Sequence, residues 1–210
     1  MKLNLPDTIP IFPLSGVIFF PKTNLPLNIF EPRYLTLIND CIKSDKYMGM
    51  IQSKKNTSDV YTVGCLGKIT ESKITKDGRM IVNLTGISRF TIKTEINNNK
   101  PYREFKITYD KFLDDLETEK NKTKVAEKIK DLYEKTKIFF NKNGLMLNWN
   151  EFEKLDQNQK INTLAMIAPI SNEEKQTVLE SVHIESKTKV LSEIIEFYLH
   201  ENVINNLTIQ

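Results

Sequence analysis

The side chains of this chain that could do chemistry are two cysteines, Cys41 and Cys65, two histidines, His183 and His200, and the carboxylate of Glu31. A cysteine hydrolase requires an activated thiol, and a structural zinc site requires four converging ligands at short, paired spacings. The cysteines lie far from the histidines in the sequence, and no CxxC or HxxxH pair occurs. We therefore predict no catalytic residue, no metal site and no cofactor, and we interpret both cysteines as small core residues.

Glu31 belongs to the most informative stretch of the sequence, Leu25–Tyr34. An apolar extended run stops there at Glu31 and Pro32 and turns into a helix. Proline has no N–H to leave unpaired in a first helical turn, and it biases the residue before it towards an extended conformation. Apolar residues then recur at helical spacing up to about Lys43. The stretch is therefore predicted to be a strand-to-helix junction.

Short apolar or β-branched runs separated by turn residues predict that the first part of the chain is β-rich. Two prolines place the first of these strands at a sheet edge or beside a bulge, and the second strand is apolar throughout, as in a strand buried on both faces. Asp77-Gly78 predicts a hairpin turn. The pattern indicates a small barrel or curled sheet with one early helix. The predicted strands are Ile9–Leu14, Val17–Phe20, Leu25–Phe30, Tyr47–Ile51, Tyr61–Thr70, Met80–Leu84, Gly86–Ile92 and Tyr102–Tyr109.

Helical spacing replaces these runs in the second part of the chain. We predict a β-rich domain over residues 1–112, a charged connector over 113–124 and a helical bundle over 125–210, which together make an α+β protein. Ser171 and Glu174 have the spacing of a capping box, and Trp149 is interpreted as an anchor of the bundle. The predicted helices run over Val125–Phe140, from about Asn158 to Ala168, from Ser171, and from about Ser186 to Glu201.

The charge of the chain is unevenly divided. Residues 1–112 carry 13 Lys and 4 Arg against 10 acidic residues, whereas residues 113–210 carry 13 Lys against 17 acidic residues. A basic first part permits an acidic partner such as RNA, although no dense basic cluster interleaved with aromatic residues is present. No apolar run approaches the roughly 18 residues that span a bilayer, and the N-terminus lacks a secretory signal. We expect a cytoplasmic protein with no membrane partner.

Six segments of the sequence carry a family resemblance, namely Ile11–Leu14, the apolar run closed by Pro21, Leu25–Tyr34, Gly64-Cys65, Gly86–Phe90 and Glu173–Glu180. In order and spacing they resemble the signature segments of the Lon N-terminal domain. Two positions depart from the family pattern: Asn28 stands where histidine is more frequent, and Lys187 where arginine is frequent. The resemblance implies a PUA-like β-barrel followed by helices, the substrate-recognition part of Lon proteases, here standing alone.

The modules that give a Lon protease its activity are not found in this sequence. The chain has no GxxxxGK[ST] phosphate loop. Lys76-Asp77-Gly78 is similar to the peptidase motif of the family, but the serine that should follow is missing. The resemblance therefore implies a protein that is not an enzyme and that binds unfolded or apolar client segments, as an adaptor in proteolysis or quality control beside an ATP-dependent protease.

The strand-to-helix junction is the place where we expect a peptide to bind. Phe30 and Tyr34 could instead fill the core, and Glu31 could pair with an arginine to fix the turn. An alternative function is RNA binding by the basic first part of the PUA-like fold. A ligand pocket like that of cereblon is disfavoured, since it needs several tryptophans and a zinc module. The predicted peptide-binding residues are Ile29, Phe30, Glu31, Arg33, Tyr34 and Arg89.

Overall fold

The computed structural model describes residues 5–116 and 126–207. The chain divides into two compact units, Met1–Thr118 and Glu119–Gln210. The first unit is β-rich and the second is helical, so the α+β fold predicted from the sequence is confirmed. Residues 117–124 of the predicted connector, and Val125, lie outside the described residues.

The elements of the first unit are β1 (Thr8–Leu14), β2 (Asn24–Ile29), α1 (Pro32–Lys43), β3 (Tyr47–Gln52), β4 (Val63–Ile74), β5 (Met80–Ile96), β6 (Arg103–Thr108) and a 3-10 helix (Asp110–Asp115). The strands form one sheet with the order β2-β5-β4-β3-β1-β6, in which β5 also pairs with β6. This last pairing closes five strands into a barrel, to which β2 is added through β5. The barrel with one early helix is thus confirmed.

The barrel closes around an apolar core. Side chains from β1, β3, β4, β5 and β6 meet there. The first half of β5 alternates between buried and more exposed residues accordingly, whereas β3 and the first half of β4 are buried at nearly every position. The core cluster consists of Ile9, Ile11, Ile51, Leu66, Phe90, Phe105 and Ile107.

Strand β1 lies inside the sheet, between β6 and β3, and neither of its ladders has a register shift, so the prediction of a position at an edge or beside a bulge is wrong. It pairs with β6 up to Ile11 and with β3 from Ile11 onwards. The carbonyl of Asp7 accepts a hydrogen bond from the amide of Ile107, which places the odd-numbered backbone groups of β1 on the β6 side. The backbone nitrogen of Pro10 therefore faces β3, at a position before the β1–β3 ladder begins. The backbone nitrogen of Pro13 faces β6, at a position after the β1–β6 ladder has ended. Neither missing N–H leaves a ladder position empty.

The apolar run Val17–Phe20 is largely buried, but it is not a strand as predicted. It is held against β5 by a close backbone approach at Gly86, where an added Cβ would lie 2.2 Å from the carbonyl oxygen of Phe20. The amide of Lys22 donates to the carbonyl of Gly86, and the amide of Gly86 donates to the carbonyl of Thr23. Only a glycine permits this approach, which replaces a regular ladder.

Strand β5 runs without interruption through Gly86, so the prediction of two separate strands on either side of this residue is wrong. The register with β4 shifts there, because Leu66 pairs with Ser88 whereas Gly67 pairs with Gly86. Ile87 is consequently the extra residue of a β-bulge. A bulge bends a strand instead of ending it, which the glycine alone does not reveal.

Two local predictions in the first unit are confirmed. Helix α1 begins at Pro32 and ends at Lys43. The β4–β5 hairpin turns at Asp77-Gly78, where Gly78 has a φ of 84°. A positive φ of this kind is the reason that an Asp-Gly pair marks hairpin turns.

The second unit consists of helices in its described residues. They are α2 (Ala126–Lys142), α3 (Trp149–Glu153), α4 (Gln157–Ile167), α5 (Asn172–Glu180) and α6 (Ile184–Leu207). All but α3 are expected from the sequence, and α6 is longer than predicted at both ends. The capping box is confirmed, since the amide of Glu174 donates to Ser171 Oγ at 3.2 Å and Glu174 Oε2 accepts from the amide of Ser171 at 2.8 Å.

Trp149 anchors an aromatic cluster in this unit. Its ring centroid lies 5.1 Å from that of Tyr133 and 5.6 Å from that of Phe152, both in edge-on geometry. Tyr133 belongs to α2 and Phe152 to α3, so the cluster joins the short helix that the sequence did not predict to its neighbour. The interpretation of Trp149 as an anchor is confirmed.

Candidate functional site

An open cleft of about 780 Å³ lies in the first unit at the strand-to-helix junction. Its walls are the end of β1, the second half of β2 and the first turn of α1. This volume is within the range of roughly 300–1,000 Å³ that is usual for ligand sites. The cleft is also lined by Ser53, Thr57, Ser58, Glu95 and Arg103, and by five residues predicted as peptide-binding, namely Ile29, Phe30, Glu31, Arg33 and Tyr34.

Phe30 is the exposed apolar side chain of this cleft, with 65% of its surface accessible. It follows the last residue of β2, Ile29, and precedes the N-cap residue of α1, Glu31. The backbone on both sides is therefore held by a sheet or a helix. Phe30 does not fill the core, unlike Tyr34, which is buried. An exposed aromatic ring on a fixed backbone can contact an apolar partner at a low cost in conformational entropy.

The floor of the cleft is aromatic. The ring centroids of Phe12 and Tyr34 are 4.2 Å apart, and the guanidinium of Arg33 lies 4.5 Å from the centroid of the Tyr34 ring. Burial raises the pKa of the Tyr34 phenol, an effect that the charge of Arg33 opposes. The hydroxyl of Tyr34 is thus a neutral donor at physiological pH.

The charged side chains that line the cleft form two ion pairs. Arg33 Nη2 lies 2.9 Å from Glu31 Oε2. Arg103 donates from Nε and Nη2 to the two carboxylate oxygens of Glu95 at 2.7 Å each, and from Nη1 to the carbonyl of Ser58 at 3.0 Å. The hydrogen bond from Arg103 lowers the pKa of Glu95. Because the two cations and two anions balance, the cleft favours an uncharged partner.

Arg89 does not belong to this cleft, and its prediction as a contact residue needs correction. Its side chain is 1% exposed and lies 4.3 Å from the ring centroid of Phe112. Asp115 Oδ2 accepts from Arg89 Nε at 2.8 Å and from the Arg89 amide at 2.9 Å, and Asp115 Oδ1 accepts from Nη2 at 2.8 Å. This arrangement fastens the 3-10 helix to β5. Arg89 is a structural residue.

All four arginines of the chain have a carboxylate partner. Besides the pairs described above, Arg79 Nε lies 2.8 Å from Asp77 Oδ2 in the hairpin turn. Arginine that is already paired must break an existing interaction before it can contact a phosphate. The arrangement gives the RNA alternative no support.

The candidate nucleophiles are poorly placed for chemistry. Cys41 and Cys65 are buried, and neither forms a disulfide bond. Burial, with a smaller contribution from Asp45 and Asp40, raises the pKa of Cys41 to about 12, so the thiol remains protonated. Among the described residues, no group of three or more His, Cys, Asp or Glu side chains could hold a metal ion.

A comparison with known protein families identifies the chain. The family model described as the substrate-binding domain of ATP-dependent protease La (LON) matches residues 8–196. The chain belongs to the Lon substrate-binding domain family. The Lon match concerns the substrate-binding domain and not the protease domain.

Its Lon relatives are longer proteins. This Lon domain is 27% identical over 195 residues to the Lon protease of Desulfosudis oleivorans, which covers 88% of this chain and 23% of the relative. It is 26% identical over 208 residues to the Lon protease of Syntrophus aciditrophicus, which covers 93% of this chain and 26% of the relative. The chain thus spans about a quarter of the length of these two relatives.

Solved Lon domains share the fold. The Lon N-terminal domain protein from Xanthomonas campestris aligns with a TM-score of 0.65 at 16% identity, over 88% of this chain and 96% of that one. The N-terminal domain of a Lon protease from the Mycobacterium avium complex aligns with a TM-score of 0.68 at 13% identity, over 90% and 98% of the respective chains. The fold implied by the sequence resemblance is confirmed.

Sequence reasoning missed the far side of the cleft in this Lon domain. Glu95 and Arg103 lie in β5 and β6, far in sequence from the junction, and they are brought to it by closure of the barrel. The signal that could have indicated them is the alternation of Arg103–Thr108, which places Arg103 at one end of a half-exposed strand.

Proposed function

We propose that this Lon domain recognises unfolded or apolar segments of client proteins through the cleft at Phe30, without catalysing a reaction itself. The observation that carries the proposal is a largely exposed aromatic ring, fixed at the strand-to-helix junction of a substrate-binding domain. The neutral balance of the two ion pairs also favours apolar clients over charged ones.

The partners follow from the same proposal. Client proteins would be delivered to an ATP-dependent protease, so the domain would act as an adaptor or as a recognition part in proteolysis or quality control. The full-length Lon proteases among its relatives support this proposal. The helices described here include none that is long and apolar enough to span a membrane. We propose a cytoplasmic location, where unfolded clients of such a protease are found.

A binding assay with a matched variant tests the recognition proposal. Fluorescence anisotropy would compare an apolar peptide with a charge-matched polar peptide, for the wild type and for Phe30→Ala. Burying an aromatic side chain contributes about 1.5–3 kcal/mol, and Phe30 begins 65% exposed, so the variant should bind the apolar peptide roughly 5- to 30-fold more weakly.

The control for this assay is Phe197→Ala, which removes a ring that is 56% exposed in the second unit. The control should bind as the wild type does. Equal affinity for the apolar and polar peptides, or equal loss in both variants, would contradict the proposal. Binding of RNA that weakens steeply as salt rises would favour the alternative instead.

A further inference from the structure

We propose that an extended apolar client segment binds this Lon domain by adding a strand to the free edge of β2. The inference rests on the peptide recognition proposed above, and it specifies how the segment is held and therefore which segments are accepted.

The first argument is the direction of the backbone groups of β2. This strand pairs with β5 on one side, and no strand of the described residues pairs with its other side. The amide of Gly86 donates to the carbonyl of Thr23, so the odd-numbered residues of β2 face β5. The backbone groups of the even-numbered residues Pro26 and Asn28 point in the opposite direction, away from β5. Their carbonyls, and the amide of Asn28, therefore point to the open side.

The second argument is the position of the prolines. Pro26 has no N–H, so the first half of the edge offers a poor template, as is usual for protected edge strands. Asn28 supplies an outward amide in the half of β2 that lines the cleft. The opposite wall of the cleft is the end of β1. Pro13 in this wall points away from β3, and because proline has no N–H it offers no amide to an added strand either. Asn28 is thus the place where an added strand would begin.

The third argument is the pattern of side chains that an added strand would meet. Strand residues alternate between the two faces of a sheet in phase with their neighbours. Side chains opposite Ile29 would point inwards towards the floor of the cleft, whereas a side chain opposite Asn28 would lie on the outer face beside Ile81, the β5 partner of Asn28. The accepted segment is therefore extended, uncharged and apolar at alternate positions, and it has a free N–H at the paired positions.

Backbone N-methylation tests this inference with the full chain and no variant. Anisotropy would be measured for a set of labelled peptides of alternating leucine and serine, in which one amide at a time is N-methylated. Strand addition predicts a loss of about tenfold at the amides that would donate to the outward carbonyls of Asn28 and Pro26, and little change at the amide between them, because only alternate amides face the partner strand.

The outcomes separate the inference from the function on which it rests. Equal losses at all positions would overturn strand addition and leave peptide recognition standing. Absence of binding by every peptide, methylated or not, would overturn both.

A pair of variants at Asn28 gives a second test. Asn28→Pro removes the outward amide and leaves the ladder to β5 intact, so it should weaken binding about tenfold. Asn28→Ala is the matched side-chain control: because it keeps the outward amide, it should lose much less affinity than Asn28→Pro. Equal loss in both would show that the side chain is recognised, and would overturn the inference. If the wild type sediments as a dimer and the Asn28→Pro variant as a monomer, a second copy of the chain occupies the edge of β2. That result would also overturn the inference.

Discussion

Replacing Asp115 by asparagine should destabilise the first unit far more than the same replacement at Asp77. Both carboxylates pair with an arginine, at 2.8 Å in each case. The side chains of Arg89 and Asp115 are only 1% and 8% exposed, whereas those of Arg79 and Asp77 are 52% and 54% exposed. The comparison isolates burial, since the chemical change is identical.

The magnitude follows from what the Asp115 carboxylate supplies. It accepts three hydrogen bonds from Arg89, and an asparagine retains only one oxygen to accept them. A buried charge that loses its partner costs about 3–5 kcal/mol, a large part of the roughly 5–15 kcal/mol that stabilises a domain. Asp77→Asn should have little effect on stability, because an exposed pair contributes little and Asn-Gly remains a favourable hairpin turn.

Urea unfolding followed by far-UV circular dichroism measures both effects as changes in the free energy of unfolding. A third variant, Arg89→Met with Asp115→Leu, removes both charges and should recover much of the stability lost by Asp115→Asn. The reasoning is refuted if the two single variants differ by less than about 1 kcal/mol. It is also refuted if the double variant is no more stable than Asp115→Asn.

Two further predictions concern close packing and a buried thiol. Gly86→Ala should destabilise the protein by about 1–3 kcal/mol in thermal denaturation, because its Cβ would lie 2.2 Å from the carbonyl oxygen of Phe20. The control Gly16→Ala places its Cβ in open space and should have little effect. Equal effects of the two substitutions would contradict the close approach at Gly86. Burial raises the pKa of Cys41 from 9.0 to about 12, so the thiol ionises at a lower pH in the unfolded chain than in the folded one. Ionisation therefore favours the unfolded chain, and the free energy of unfolding should fall as the pH rises from about 9 to about 12. Urea titrations over this range should show a smaller pH dependence for Cys41→Ala, and an unchanged one would contradict the prediction.

Local signals in the sequence were sufficient for the elements that depend on neighbouring residues. Pro32 predicts the start of α1, Ser171 and Glu174 predict the start of α5, and Asp77-Gly78 predicts the hairpin. Each signal acts within one turn of chain, so no distant contact can override it easily.

Elements that depend on distant contacts were predicted poorly. The run Val17–Phe20 has the composition of a buried strand, but it is held by a close backbone approach at Gly86 instead of by the hydrogen bonds of a regular ladder. Arg89 and its partner Asp115 are 26 residues apart, and nothing near either residue indicates the pair. The same holds for the cleft: the junction side was predicted, and the side formed by Glu95 and Arg103 required closure of the barrel.

The central position of β5 has a consequence for folding. This 17-residue strand pairs with β2, β4 and β6. Its pairing with β4 begins at a tight turn and can form early, since little loop entropy is lost. Closure of the barrel instead joins Thr8 to Lys106 across most of the first unit, and such distant pairing is slow. The β4–β5 hairpin is therefore the natural nucleus of the first unit, and the amides of β5 would be among the last to exchange with solvent.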